Sequence, residues 1–298
     1  MTLVAKSVIV FGGSGFLGSY LVSELLEKRY RVVVADVQKS AFNPKAIFEK
    51  CDILDTAQIK NVFERHEIEY VYNLAGFANM EDASSNPVDS ITLNVIGNLN
   101  ILEGAKRKKV KRYLYASSAY AMSEKGSFYG ISKLCSEKII EEYQSKYALD
   151  FTIIRFGSVY SERPFHNNYI FNLVKQAVRE KRIVHPGDGE ELREYIHAAD
   201  AAKLSVQLLS DNNFVNEHVI LTGVEPIKRK QLFQMIKEIL GDDLEIVLGA
   251  SGYKDHYKLT PYSFHPTISK KFVANPFIDL GQGILECIRS VHSEQAYE

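Results

Sequence analysis

A chain of 298 residues, 46% hydrophobic and 24% charged, is long enough for one large core or two lobes, and its composition excludes a disordered or fibrous protein. Its 36 lysines and arginines nearly cancel 37 aspartates and glutamates, leaving a formal net charge of -1, so no long-range field draws it to nucleic acid or to an anionic membrane. Cys51, Cys135 and Cys287 stand far apart with no C-x-x-C pair, which argues against a disulfide framework or a zinc site, and no run reaches the roughly 18 apolar residues of a membrane span, so a cytoplasmic protein with no membrane partner is expected.

The first apolar run, "SVIV", passes through "FGGSGFLG" into the leucine-rich "LVSELL", a buried strand turning into a helix across a cluster of glycines. Up to about residue 160 the alternation continues: strand "RVVVAD", strand "AIFEKCDI", helix "TAQIKNVFERH", strand "YVYNLA", one long helix "PVDSITLNVIGNLNILEGAKRK", strand "RYLYASS", helix "YGISKLCSEKIIEEYQSKY" and strand "DFTIIRFGS". Strands apolar on both faces and separated by helices predict an α/β fold, a Rossmann-type doubly wound parallel sheet. After Ser161 the regularity loosens into a polar turn, the helix "YIFNLVKQAVREK", the turn "PGDGE", strand "LREYIH", helix "AADAAKLSVQLL", strand "HVILTG" and helix "RKQLFQMIKEILG". The expected organisation is a nucleotide-binding domain over 1–160 and a smaller, mainly substrate-binding lobe over 161–298. Residues of about 183–210 return to the first domain, and a cleft lies between the two.

The glycines have a chemical reading. Gly12, Gly15 and Gly18 fit G-x-x-G-x-x-G at a strand-to-helix turn, where backbone must approach a pyrophosphate with no Cβ in the way. The helix start, at Gly15, Phe16 and Leu17, offers amides and the positive end of the helix dipole. The next strand ends in Asp36, whose carboxylate can accept hydrogen bonds from the adenosine ribose and would repel a 2′-phosphate, which favours NAD over NADP.

A second constellation follows. "YLYASSAY" ends a strand and "YGISK" begins a helix, so Tyr129 and Lys133, four apart, share one helical face. An ammonium beside a phenol favours the phenolate, and such a tyrosine can remove a hydroxyl proton as hydride leaves the same carbon. Ser118, at a carboxyl end of the sheet, is placed to hydrogen-bond that oxygen.

With these residues in this order, the chain resembles an extended short-chain dehydrogenase/reductase of the NAD-dependent nucleotide-sugar epimerase/dehydratase family, UDP-glucose 4-epimerase-like, over essentially its whole length. The resemblance implies that Tyr129 is the catalytic base, that Lys133 holds the nicotinamide ribose and tunes the tyrosine, and that Ser118 hydrogen-bonds the reacting hydroxyl. It places Asp52 and Ile53 of "CDILD" at the adenine, and Leu74, Ala75 and Gly76 of "NLAG" beside the ribose and pyrophosphate. Asn94 matches a position behind the active site, counted with the cofactor-binding residues. In the second lobe "GDGEELREYIHAADAA" resembles the segment whose arginine grips the nucleotide diphosphate, which makes Arg193 the expected ligand and Arg163 a weaker one.

Departures from the family pattern also bear on function. The step from Ser118 to Tyr129 is short, and Ser158 stands where epimerases carry an asparagine that contacts the nucleotide. The tail lacks a second diphosphate arginine, with Lys254 or Lys258 as substitutes, and the Asp-Glu pair that dehydratases place after Ser118 is missing. The expected activity is NAD-dependent epimerisation of a nucleoside-diphosphate sugar through a keto-sugar intermediate, hydride leaving and returning to the opposite face. Alternatives are a 4-keto sugar reductase or dehydrogenase, and a non-catalytic NAD-sensing protein. Scattered histidines give no metal-ligand spacing, and the basic run "AKRKKVKR" sits where cations complement a helix C-terminus, so neither a metal nor nucleic acid is expected. The resemblance further implies a homodimer through the helices near 90–105 and 129–147.

Overall fold

The computed structural model of the chain describes residues 6–249, 256–259 and 270–295. The first half runs β1 Ser7–Phe11, α1 Phe16–Glu27, β2 Arg31–Asp36, β3 Ile47–Lys50, α2 Thr56–Arg65, β4 Tyr70–Asn73, α3 Met80–Ser85, α4 Pro87–Ile91, α5 Asn98–Lys108, β5 Arg112–Ser118, α6 Ser127–Tyr147 and β6 Phe151–Phe156. The second runs β7 Ser158–Tyr160, α7 Tyr169–Glu180, β8 Arg182–His185, β9 Leu192–His197, α8 Ala198–Ser210, β10 Glu217–Leu221, β11 Pro226–Lys228, α9 Arg229–Leu240, β12 Glu245–Leu248, β13 Lys270–Phe272 and α10 Leu280–Gln295.

Eight strands form one sheet in the order β13-β10-β6-β5-β4-β1-β2-β3, every neighbouring pair parallel. β1 explains why the sheet is covered on both faces. Val8 and Val10 join a core with Leu21 and Leu25 of α1 and Ala201 and Leu208 of α8, while Ile9 and Phe11 join a second core with Ile59, Phe63, Ile101 and Ile140. Alternate side chains of one strand thus bury against two helical layers, and a polar residue on either face would cost a hydrogen bond. The strand order reverses between β1 and β4, so the crevice at their carboxyl ends is where such a sheet holds a ligand.

A third core, with Ile170, Phe171, Leu232, Phe233, Ile284 and Val291, ties α7, α9 and α10 together beside the small sheets β11-β9-β7 and β12-β8. This second lobe is not cleanly separate in sequence, since β10 and β13 leave it to extend the main sheet and α8 packs on α1. Among the described residues no helix is long and apolar enough to cross a membrane.

One expected element differs. The long helix over 87–108 is α4 and α5 joined by a π-helical turn, Thr92–Gly97. The apolar period runs on through this turn, so nothing in the pattern marks it. Its wider loop turns Asn94 inward, 2% exposed, where Oδ1 accepts from the Phe77 amide at 2.8 Å and Nδ2 donates to the Ser132 hydroxyl at 2.8 Å.

Candidate active site

The glycine turn is built by close approach. Gly12 adopts φ +75°, and a Cβ there would lie 2.6 Å from the Ala75 nitrogen; at Gly18 a Cβ would lie 2.1 Å from the Gly12 carbonyl oxygen. No side chain caps the start of α1 at Gly15, so its first amides are left to a ligand. Beside them the Ser14 hydroxyl is buried with no hydrogen-bond partner among the described residues, and Asp36 accepts from the amides of Ser14 at 3.0 Å and Gln38 at 3.3 Å. Gly12, Gly15, Phe16, Leu17, Asp36, Asp52, Ile53, Leu74, Ala75 and Gly76 all line one cleft of about 920 Å³. An orphaned hydroxyl and uncapped amides next to a carboxylate fit the pyrophosphate and ribose of NAD. Asn94 does not line this cleft; it stands behind, holding the Phe77 backbone and α6 together.

Ser118, at the end of β5, and Tyr129 and Lys133, in the opening turns of α6, line the same cleft. Burial pushes the Tyr129 phenol up to about 12, against a hydrogen bond from Ser118 that lowers it. Lys133 donates from Nζ to the Ala116 carbonyl at 2.8 Å and lies 5.8 Å from the Tyr129 ring centre. Burial pulls its ammonium down to about 8, with Glu137 opposing. In the protein without its cofactor the phenol therefore lies above its ordinary value, with Lys133 close to its ring. Both groups are taken out of water, which disfavours the phenolate and the ammonium alike, and the ammonium is bound to a backbone carbonyl.

Lys133 carries a consequence for stability. Its folded-state value lies below the ordinary 10.5, so the unfolded chain holds that proton more tightly, and stability rises as pH climbs from about 8 towards 10.5. Between pH 8 and pH 10 the wild type is expected to gain about 2 kcal/mol relative to Lys133→Met in urea unfolding. Parallel curves for the two proteins would show that the ammonium is not desolvated.

The second lobe is arranged otherwise than the motifs suggest. Arg193 is 2% exposed and absent from the cleft wall; Nη1 donates to the carbonyls of Leu192 at 2.7 Å and Tyr257 at 2.9 Å, and Nη2 is buried without a hydrogen-bond partner among the described residues. Tyr257 covers its guanidinium at 4.1 Å. The arginine that does line the cleft is Arg229, at the start of α9 and 4.4 Å over the Tyr169 ring. Sequence reasoning missed it because no motif surrounds it: its place follows from β11 pairing antiparallel with β9, which sets Ile227 opposite Arg193. Glu81, Tyr120 and His256 were missed likewise and also line the cleft.

Ser158 lines the cleft and hydrogen-bonds Tyr257. Arg163 is held elsewhere, donating to the Ser19 hydroxyl at 2.7 Å and stacking 3.7 Å over Tyr20. Lys258 lies 3.6 Å from Asp188 with its side chain 65% exposed, and Lys254 lies outside the described residues. Glu162, His197 and Glu286 converge, yet His197 accepts the Ala199 amide at Nδ1, so its Nε2 carries the proton and points it at Glu162 3.1 Å away. As a donor, that nitrogen has no lone pair for a metal.

Comparison with known proteins bears on the same residues. A Methanocaldococcus jannaschii protein with a provisional UDP-glucose 4-epimerase name is 28% identical over 255 residues, covering 78% of this chain and 82% of its own length. The dTDP-glucose 4,6-dehydratase of Haemophilus influenzae is 24% identical over 274 residues, covering 78% of this chain and 80% of its own. Among solved structures, the Thermotoga maritima UDP-glucose 4-epimerase with UDP-glucose superposes with a TM-score of 0.83 at 24% identity, over 98% of this chain and 100% of that one, a likeness of fold. The model of the NAD dependent epimerase/dehydratase family matches residues 8–223, from the first residues of β1 past the end of β10. A chain whose glycine turn, sheet reversal and Ser118–Tyr129–Lys133 face all fall inside that match belongs to the NAD-dependent epimerase/dehydratase family.

Proposed function

We propose that the protein is an NAD-dependent epimerase of a nucleoside-diphosphate sugar. The observation that carries this reading is the meeting of Ser118, Tyr129 and Lys133 with the glycine turn in one cleft, with Ala119 and Tyr120 after Ser118, where a dehydratase needs a carboxylate acid and base. NAD would be held by the α1 amides, Ser14, Asp36 and Lys133, and when bound it supplies a reversible hydride acceptor. As the phenolate, which Lys133 and the positive charge of a bound NAD would favour, Tyr129 takes the proton of a sugar hydroxyl and returns it, and Ser118 orients that hydroxyl. Arg229 and Tyr169 present a cation and an aromatic face to the nucleotide diphosphate and base. Arg193 would join them only if Tyr257 moved from its guanidinium. We assign a homodimer to the exposed apolar face of α4 to α6, where Val88 is 75% and Ile131 60% exposed.

A reductase shares every residue named, so the test must separate the two. Purified protein is expected to release NAD, not NADP, on denaturation, to elute as a dimer, and to interconvert one of the UDP-, GDP-, CDP- or dTDP-hexoses with no net change in nicotinamide absorbance. Consumption of added NADH without interconversion would make it a reductase. Loss of water from the sugar would make it a dehydratase.

A further inference from the structure

Tyr120 stands two residues past Ser118 in the short turn between β5 and α6, on the wall of the cleft. Its hydroxyl lies 2.6 Å from Nδ1 of His256, and Nε2 of that ring lies 3.1 Å from Oε1 of Glu81 in α3. The Tyr120 ring meets Tyr129 edge-on at 6.1 Å between centres and packs on Tyr257 at 4.8 Å. Beneath it lies Gly126, at φ +101°, where a Cβ would come within 2.7 Å of the ring. The ring is therefore held from several sides next to the ring of Tyr129.

The direction of the hydrogen bonds follows from the groups present. A carboxylate only accepts, so Nε2 of His256 carries the proton it gives to Glu81. Burial first, and the guanidinium groups of Arg229 and Arg193 after it, pull this imidazole below its ordinary value against the Glu81 contact, so the ring is neutral at pH 7. Nδ1 is then the acceptor and Tyr120 the donor. With its only proton committed to His256, the oxygen of Tyr120, a residue of the cleft wall, keeps a lone pair that can accept.

We propose that Tyr120 is a substrate-contacting, specificity-determining residue whose oxygen accepts a hydrogen bond from a sugar hydroxyl close to the one Tyr129 handles, with His256 and Glu81 as positioning residues that keep it an acceptor. This rests on the nucleotide-sugar reading above and narrows it. A sugar bearing a hydroxyl at that point is favoured, whereas a carboxylate or carbonyl there meets lone pair against lone pair and is rejected.

The test uses the full chain loaded with NAD, titrated calorimetrically with UDP-glucose and its 2-deoxy, 3-deoxy and 6-deoxy forms. One deoxy form is expected to bind the wild type about tenfold more weakly than UDP-glucose, and to bind Tyr120→Phe as UDP-glucose itself does. Equal losses in wild type and variant would overturn the contact. A wild type that takes up NAD but binds neither UDP-glucose nor its GDP, CDP and dTDP counterparts would instead remove the functional reading on which the contact depends. Nitrogen NMR of the histidines in the free protein needs no sugar at all. It is expected to show His256 protonated at Nε2 alone, with Nδ1 shifting in Tyr120→Phe; a proton on Nδ1 would overturn the proposal even in an active enzyme.

Discussion

Tyr129→Phe is expected to lower kcat by about 10³-fold, within the range of a lost general base, while NAD binding and KM stay within a few-fold of the wild type. The phenol is 8% exposed and its oxygen faces Ser118, so phenylalanine keeps the ring contacts and forfeits one hydrogen bond. The stability change should therefore stay near 1 kcal/mol. The free protein holds the phenol at about 12, so a difference titration of the free protein should show no Tyr129 ionisation below pH 10. If Tyr129→Phe retains wild-type turnover, the proton is handled elsewhere in the cleft and the assignment of the base is wrong.

A larger effect on stability is expected from the ion pair behind that face. Arg155 of β6, 4% exposed, donates to Glu137 of α6, 0% exposed, from Nη2 at 2.6 Å and Nε at 2.9 Å, and Ser117 donates to the same carboxylate. Arg155→Leu leaves a carboxylate in the interior without its cation, which should cost about 3–5 kcal/mol in urea unfolding. The double variant Arg155→Leu, Glu137→Leu removes both charges and should recover most of that loss, since desolvating the pair offsets much of its attraction. Equal destabilisation in the single and double variants would mean that packing, not charge, decides the site. Ser117 sits next to Ser118, and Glu137 lies one helical turn beyond Lys133, so the single variant should also disturb the reactive face.

Local chemistry made part of this legible in the sequence. The Rossmann half could be read because most of its strands, β1 above all, are apolar on both faces and alternate with helices, and the glycine turn because its residues are neighbours in the chain. Ser118, Tyr129 and Lys133 were legible for the same reason: the last residues of one strand and the first turns of the next helix meet at the carboxyl end of the sheet. The acidity of Tyr129 was not, because desolvation depends on everything packed around it.

What the sequence by itself determined is the parallel sheet, the strand-to-helix turn at Gly12 to Gly18, and the spacing that sets Tyr129 above Lys133. Tertiary structure alone decided that Arg229 rather than Arg193 faces the cleft, and that Glu81, Tyr120 and His256 meet there. Strand pairing between β9 and β11 and the packing of a distant segment over β5 bring these groups together from positions far apart in the chain, and no local period records such contacts.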